Sequence, residues 1–467
     1  MHIPLLIIGG GLSGLAAAIR FARFNPGVLI LEKHSRIGGL NSWYYRHNSL
    51  FETGLHAITN FAPPEDKNAP LNRLFRQLKL RRKDFTFHEQ LASEICFANR
   101  ESLFFSNDFN LMTHEITTKF PDSAPRFIHL VQTIKKHDPF RAAPFRSART
   151  FLDNTLNNPL LVDMLLCPLM YYGSSVENDM DFNQFVIMFR AIFLEGMFRP
   201  HGSIKDFLEL LLQHYQNFGG QIRLQAPVAR IIHQGRKVQG VELADGESIE
   251  CDALLSTIGL EETLVCLDPP VPARQGQGKQ HGARLGFVES IFRLPADCRN
   301  FLPQDKTIIF YNNRRHFHYQ RPQTPVDFSS GVICFPANFQ GLEAQTHIEV
   351  RTTHLADYGN WKALAADKAA YLAAKSETAE QSKATVEKII GNFTPHIVYE
   401  DTFTPLTIER FTAKKEGAIY GCPDKIKDGD IGYDNLFLAG TDQGFLGIVG
   451  SMLSGVSMVN QHILSRL

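Results

Sequence analysis

The sequence predicts an α/β fold in which one parallel sheet is assembled from three separated stretches, with an α+β second domain built from the segments between them. Three observations predict it. An apolar strand, a glycine turn and a helix start open the chain. A helix, strand, hairpin and strand follow one another between 203 and 257. A last apolar strand runs into a second glycine-rich turn close to the far end.

The first element is Leu5-Leu6-Ile7-Ile8, a buried strand leading into Gly9-Gly10-Gly11-Leu12-Ser13-Gly14 and the helix former Leu15-Ala16-Ala17-Ala18-Ile19. Gly9 permits the tight turn, Gly11 lets backbone approach a pyrophosphate, and Gly14 lets the helix pack on the strand. Leu12 and Ser13 sit at the helix start, where unpaired N–H groups face phosphate. A second apolar run, Val28-Leu29-Ile30-Leu31, ends in Glu32 and Lys33. Glu32 is placed to accept hydrogen bonds from ribose hydroxyls. A glycine turn alone is weak evidence, but strand, helix and acid coincide here at the right spacing. Together they predict a Rossmann-type dinucleotide site.

The second stretch opens with Gly202-Ser203-Ile204-Lys205 and a helix whose apolar side is Phe207, Leu208, Leu210, Leu211 and Leu212, stopped by Gly219-Gly220. Residues 221–224 and 226–232 read as strands. Residues 237–243 and 247–250 read as a hairpin turning at Asp245-Gly246, and 251–257 as a returning buried strand. The third is Asn435-Leu436-Phe437-Leu438-Ala439-Gly440-Thr441-Asp442. On this reading the nucleotide domain comprises 1–75, 200–275 and 405–467. Residues 76–199 and 276–404 form the second domain, a mixed sheet with a helical lid. Residues 361–390, rich in Ala, Lys and Glu, read as a surface helix.

Arg36-Ile37-Gly38-Gly39, directly after Glu32, resembles the Arg-x-Gly-Gly element of the flavin amine oxidase and phytoene desaturase superfamily. The resemblance implies FAD as the cofactor, with Arg36, Gly38, Gly39 and Leu40 around its pyrophosphate and ribityl chain. Phe51-Glu52-Thr53-Gly54-Leu55-His56 looks like the Phe-Asp-x-Gly-x-His stretch of the carotenoid desaturase, carotenoid isomerase and retinol saturase branch, with Glu52 where Asp is usual. Thr404-Pro405-Leu406-Thr407 and 417–421 look like that branch's strand and loop before the last cofactor segment. Val228 matches a residue whose backbone contacts adenine in the family. Gly440, Asp442, Gly447, Ile448, Val449 and Ser451 resemble its closing flavin motif. There the last helix could stabilise negative charge on the ring. Leu40 stands where amine oxidases often carry a second Arg, and Asp442 where many carotenoid desaturases carry His.

Such chemistry needs few side chains, because the cofactor carries the hydride. His56 and Tyr420 are the candidates for lining the active site. The expected substrate is a hydrophobic small molecule or lipid, a long polyene or isoprenoid undergoing desaturation, saturation or cis–trans isomerisation. An oxidase or desaturase of a fatty acyl chain or amine is the alternative. A non-catalytic prenyl-lipid carrier, like the Rab escort proteins and GDP-dissociation inhibitors, is a third reading. Gly9, Gly11, Gly14 and Glu32 weigh against it, since those carriers lack a full fingerprint.

Lys plus Arg equals Asp plus Glu at 48 each, so no overall field draws nucleic acid. Seven scattered cysteines without a CxxC pair read as reduced thiols, and no metal-ligand spacing occurs. His316-Phe317-His318 reads as part of an alternating aromatic strand. The 36 Phe residues suggest a large apolar cavity as well as core. The chain enters its first strand with no signal-type segment, which predicts a cytoplasmic protein with peripheral membrane contact left open. Two segments bear on that contact. Residues 71–83 interleave Arg and Lys with Leu and Phe, as a lipid-facing helix or a solvated one. Residues 182–198 form a Phe and Met stripe suited to core or to a tunnel wall.

Overall fold

The computed structural model of the chain describes residues 2–54, 57–97, 101–141, 143–267 and 284–466. The strand His2–Ile8 is flanked in parallel by Val28–Leu31 and Ser248–Ser256. Gln221–Arg223 and Leu436–Leu438 extend the parallel array outward. Leu5, Leu6 and Ile7 are fully buried, as an unbroken apolar run requires of a strand covered on both faces. Leu5 and Ile7 face the helices Leu12–Ala22, Ile204–Asn217 and Gly447–Met458. Leu6 and Ile8 face a layer that includes Val238, Val241 and Tyr433.

The segment expected as a hairpin arm followed by a separate strand is one strand, Ser248–Ser256. Its first half pairs antiparallel with Lys237–Leu243, and its second half pairs in parallel with Leu436–Leu438. Two partners along one strand look like two strands in sequence.

A second, mixed sheet runs in the order Tyr399–Phe403, Gly286–Pro295, His347–Ala356, Val326–Cys334, Ile308–Asn312, Ser93–Phe97 and Ser102–Phe105. Helices from 109 to 189 cover one face through a core that includes Phe127, Leu165, Phe185, Phe189 and Phe310. The Phe and Met stripe of 182–198 is therefore core. Lys368–Ile390 covers the other face, and its Ser382 hydroxyl meets Thr352 Oγ1 and His354 Nε2. The expected single helix over 361–390 is two, Tyr358–Leu364 and Lys368–Ile390, and Trp361 is fully buried.

Three further expectations change. Thr404–Thr407 opens a helix, Pro405–Thr412, in place of a strand and loop, because Thr404 caps Thr407 N–H and Pro405 takes the first helical position. Residues 316–318 lie outside any strand, with Phe317 buried and both histidines exposed. In the helix Pro70–Leu78, Leu71, Leu74, Phe75 and Leu78 are buried while Arg73 and Arg76 are exposed, so its apolar side faces core and not lipid. Among the described residues no helix is long and apolar enough to cross a membrane.

Candidate cofactor and active site

The glycine turn has the geometry a dinucleotide needs. Gly9 adopts φ +104° and donates its N–H to Leu31 O at 2.8 Å, tying the turn to the second strand. A Cβ at Gly14 would lie 2.0 Å from Gly9 O, so only glycine lets the helix approach. A Cβ at Gly11 would instead meet nothing nearer than 3.9 Å, and those neighbours are Gly38 O and Gly39 Cα. Gly38 N–H donates to Gly10 O at 2.9 Å, so the Arg-x-Gly-Gly turn forms the opposite wall of this cleft.

Helix Leu12–Ala22 makes its first internal bond from Leu15 N–H to Gly11 O, which leaves the N–H groups of Leu12, Ser13 and Gly14 without intrahelical partners. Ser13 Oγ is buried with no partner among the described residues. Gly440, at φ +96°, faces it, with a built Cβ 4.0 Å from Ser13 Oγ. A cleft lined by backbone, with orphan donors at a helix N-terminus, fits a pyrophosphate.

Glu32 is buried, 8% exposed. Its Oε2 accepts Gly10 N–H at 2.7 Å and its Oε1 accepts His34 N–H at 2.7 Å. Arg36 does not pair with it, and donates to Trp43 O at 2.7 Å. Lys33 is exposed, Leu40 is half-buried, and Val228 opens a strand opposite Leu243.

Asp442 is 1% exposed and fastens two loops, accepting Leu260 N–H at 2.7 Å and Cys422 N–H at 2.8 Å. Burial alone would raise its pKa, but the Lys414 and Lys425 cations and these two N–H groups hold it down at about 2. Burial lowers Lys425 to about 8, against the pull of Asp442, and its Nζ donates to Tyr420 O at 2.5 Å. Among the described residues no group of three or more His, Cys, Asp or Glu could hold a metal ion.

The closing helix Gly447–Met458 starts at an exposed Gly447, with Ile448 and Val449 buried and Ser451 half-buried. A built Cβ at Gly447 would sit 3.6 Å from Thr59 Oγ1, on the short strand Ile58–Thr59. His56 lies outside the described residues. Tyr420 is half-buried; its hydroxyl donates to Tyr171 O, its ring meets Phe287 edge-on, and burial pushes its pKa well up. Two residues escaped the sequence reading. Tyr172 has its hydroxyl buried, within the electrostatic reach of Tyr420 and Cys334. Arg199, 4% exposed, pairs with Glu52. A charge directly following Met197-Phe198 was the available signal for Arg199. For Tyr172, at the end of an apolar helix, there was none.

The chain resembles known proteins over almost its full length. It is 22% identical to 4,4'-diaponeurosporene oxygenase of Staphylococcus aureus, over 89% of this chain and 87% of that protein. It is 22% identical to human all-trans-retinol 13,14-reductase, over 99% of this chain and 86% of that protein. Among solved structures, an oxidoreductase from Methanosarcina mazei shares the fold with TM-score 0.69 at 13% identity, over 98% of this chain and 100% of that one. A putrescine oxidase redesigned in its cofactor binding shares it with TM-score 0.65 at 15% identity, over the whole of both chains. The family model for flavin containing amine oxidoreductases matches residues 12–457. So little of the chain falls outside that match that the protein belongs to the flavin-containing amine oxidoreductase family and is an FAD-dependent oxidoreductase.

Proposed function

We propose that the protein acts on a long apolar polyene or isoprenoid lipid, which it desaturates, saturates or isomerises. The observation that carries this reading is the aromatic interior of the second domain. Tyr171, Tyr172, Phe287, Phe310, Phe317, Tyr319 and Tyr420 pack ring against ring there. An interior of packed rings suits an apolar chain. The two relatives whose names specify diaponeurosporene and retinol support the same direction.

In this reading Gly9, Gly11, Leu12, Ser13 and Gly14 hold the pyrophosphate of FAD, with Gly38 and Gly39 opposite. Glu32 and Lys33 meet the adenosine ribose, Val228 the adenine through its backbone, and Arg36 and Leu40 the turn around the ribityl chain. Gly440, Gly447, Ile448, Val449 and Ser451 face the ring. Asp442 acts at one remove, by holding the loops of Leu260 and Cys422. The bound flavin supplies hydride exchange. The chain orients the substrate and excludes water. Tyr420 lines the substrate space as a wall, since its proton is already donated to Tyr171 O. The nucleotide domain comprises 1–75, 200–275 and 405–467, and the substrate domain the two segments between.

Peripheral membrane contact belongs to this proposal, at the loop after Lys136 and not at the basic helix Pro70–Leu78. There Phe140 and Phe145 are 67% and 62% exposed, and Lys135, Lys136 and Arg141 are exposed around them. Phe140 stacks at 5.8 Å on Phe445, just ahead of the closing helix, so a bilayer bound here lies beside the cofactor site. The test is anaerobic incubation of FAD-loaded protein with polyenes, acyl lipids and amines in liposomes, followed by flavin absorbance and product mass spectrometry. Bleaching by amines alone would reverse the reading.

A further inference from the structure

Arg199 is a charged side chain sealed in the interior with donor groups left over. It lies on the strand Met197–Pro200 and is 4% exposed. Its Nη2 donates to Glu52 Oε2, while Nε and Nη1 have no hydrogen-bond partner among the described residues. Glu52 cannot turn to serve them, because its other oxygen accepts Ile204 N–H at the start of helix Ile204–Asn217. The second guanidinium nearby, Arg351, is matched by Glu349 at 2.7 Å, with Glu289 and Glu52 each at 4.0 Å. Buried charged donors without acceptors are costly, and they persist where a ligand completes them.

The neighbours of Arg199 lead to the ring end of the cofactor site. Phe198, beside it, pairs with Ile58 on the strand whose Thr59 approaches Gly447. The helix held by Glu52 packs Leu208 against Gly38 of the Arg-x-Gly-Gly turn, 2.8 Å from where a Cβ there would sit. The Cys334 thiol lies in the field of Arg199 and Arg351, and the Tyr172 hydroxyl in that of Cys334 and Tyr420. Arg199 is thus tied through Glu52 to the helix that packs on the Arg-x-Gly-Gly turn, and its charge reaches the Cys334 thiol.

We propose that the Arg199 N–H groups left without a partner among the described residues bind an oxygen acceptor at the ring end of the site, either a carbonyl of the flavin pyrimidine ring or an oxygen function on an otherwise apolar substrate. The second source rests on the polyene reading above and narrows it, because a pure hydrocarbon offers no acceptor. The guanidinium fork suits carbonyl and carboxylate oxygens, where an ammonium presents only a point charge.

The test uses FAD-loaded full-length protein with Arg199→Lys, which keeps a cation for Glu52 and loses the fork. Arg199→Gln combined with Glu52→Gln serves as a second variant, replacing the ion pair by a neutral one if the lysine variant does not fold. Three quantities are read: FAD affinity, the midpoint potential of the bound flavin, and the ratio of kcat/KM for an oxygen-terminated polyene to that for a hydrocarbon of equal length. A flavin acceptor predicts at least a tenfold loss of FAD affinity or a lowered potential, with the substrate ratio unchanged. A substrate acceptor predicts at least a tenfold fall in that ratio with the flavin properties unchanged. All three within twofold of wild type in a folded variant would overturn the proposal. If wild-type protein turns over no polyene, the polyene reading fails by itself, and the flavin arm still decides the role of Arg199.

Discussion

Glu32 grips Gly10: its carboxylate accepts the Gly10 backbone N–H at 2.7 Å, across the turn that separates the first strand from the first helix. The acid at the end of the second strand thus braces the glycine turn. Glu32→Ala removes the acceptor of both Gly10 and His34 N–H groups, and each stranded donor costs about 1–3 kcal/mol. Apo-protein stability to urea should fall by that order, and FAD affinity by about tenfold to a hundredfold. Glu32→Gln, with one acceptor oxygen left, should fall between. An alanine variant whose apo form is as stable as wild type would show that the Gly10 contact contributes nothing.

Gly11 and Gly14 should respond oppositely to one added methyl group. At Gly14 the methyl meets Gly9 O at 2.0 Å, so Gly14→Ala must displace helix from strand. Overpacking of that kind costs about 1–3 kcal/mol or more. At Gly11 the methyl enters open cleft, so Gly11→Ala should lose no more than about 1 kcal/mol of apo stability while binding FAD far less tightly. Thermal unfolding with and without added FAD separates the two. Equal FAD-induced stabilisation in Gly11→Ala and wild type would count against pyrophosphate at Gly11.

Lys425 makes stability depend on pH in the alkaline range. Its folded-state pKa is lowered from 10.5 to about 8, chiefly by burial. Between those values the unfolded chain holds a proton that the folded protein has released, so stability rises with pH across that window. Below about 8 the cost of the buried cation is felt in full. Urea midpoints of wild type and Lys425→Met, compared at pH 7.5 and 10, should show wild type gaining on the variant as pH rises. A constant difference would mean that Lys425 titrates normally.

Tyr420→Phe should be mild. The lost bond to Tyr171 O is a neutral hydrogen bond contributing about 1 kcal/mol, and the ring that packs on Phe287 remains. Turnover should stay within about tenfold of wild type, whereas Tyr420→Ala, which removes the wall, should raise KM for a polyene. A loss of a hundredfold or more in kcat for the phenylalanine variant would make the hydroxyl a proton donor after all.

Phe140→Ser with Phe145→Ser should reduce co-sedimentation with anionic liposomes several-fold and leave FAD binding unchanged, because both rings are largely exposed. Raising salt should weaken wild-type binding, as expected where Lys135, Lys136 and Arg141 contribute. Undiminished sedimentation of the double variant would place membrane contact elsewhere.

By itself the sequence determined what depends on neighbouring residues. Gly9 and Gly14 announce a strand–turn–helix because φ above zero at the one and a close helix approach at the other demand glycine. Glu32 follows its strand, and residues 202–205 open a helix as read. Only the tertiary structure decided which way amphipathic and charged residues turn. Leu71, Leu74 and Phe75 form the same periodic stripe whether they face lipid or core, and the core took them. Residues 248–256 form one strand because two different partners pair along it. Arg199 and Glu52 are distant in sequence and meet only when the strand Met197–Pro200 and the start of helix Ile204–Asn217 converge on one carboxylate. The pairing of Arg199 with Glu52 has no local signature, since what compels it is the absence of water at a place the fold creates.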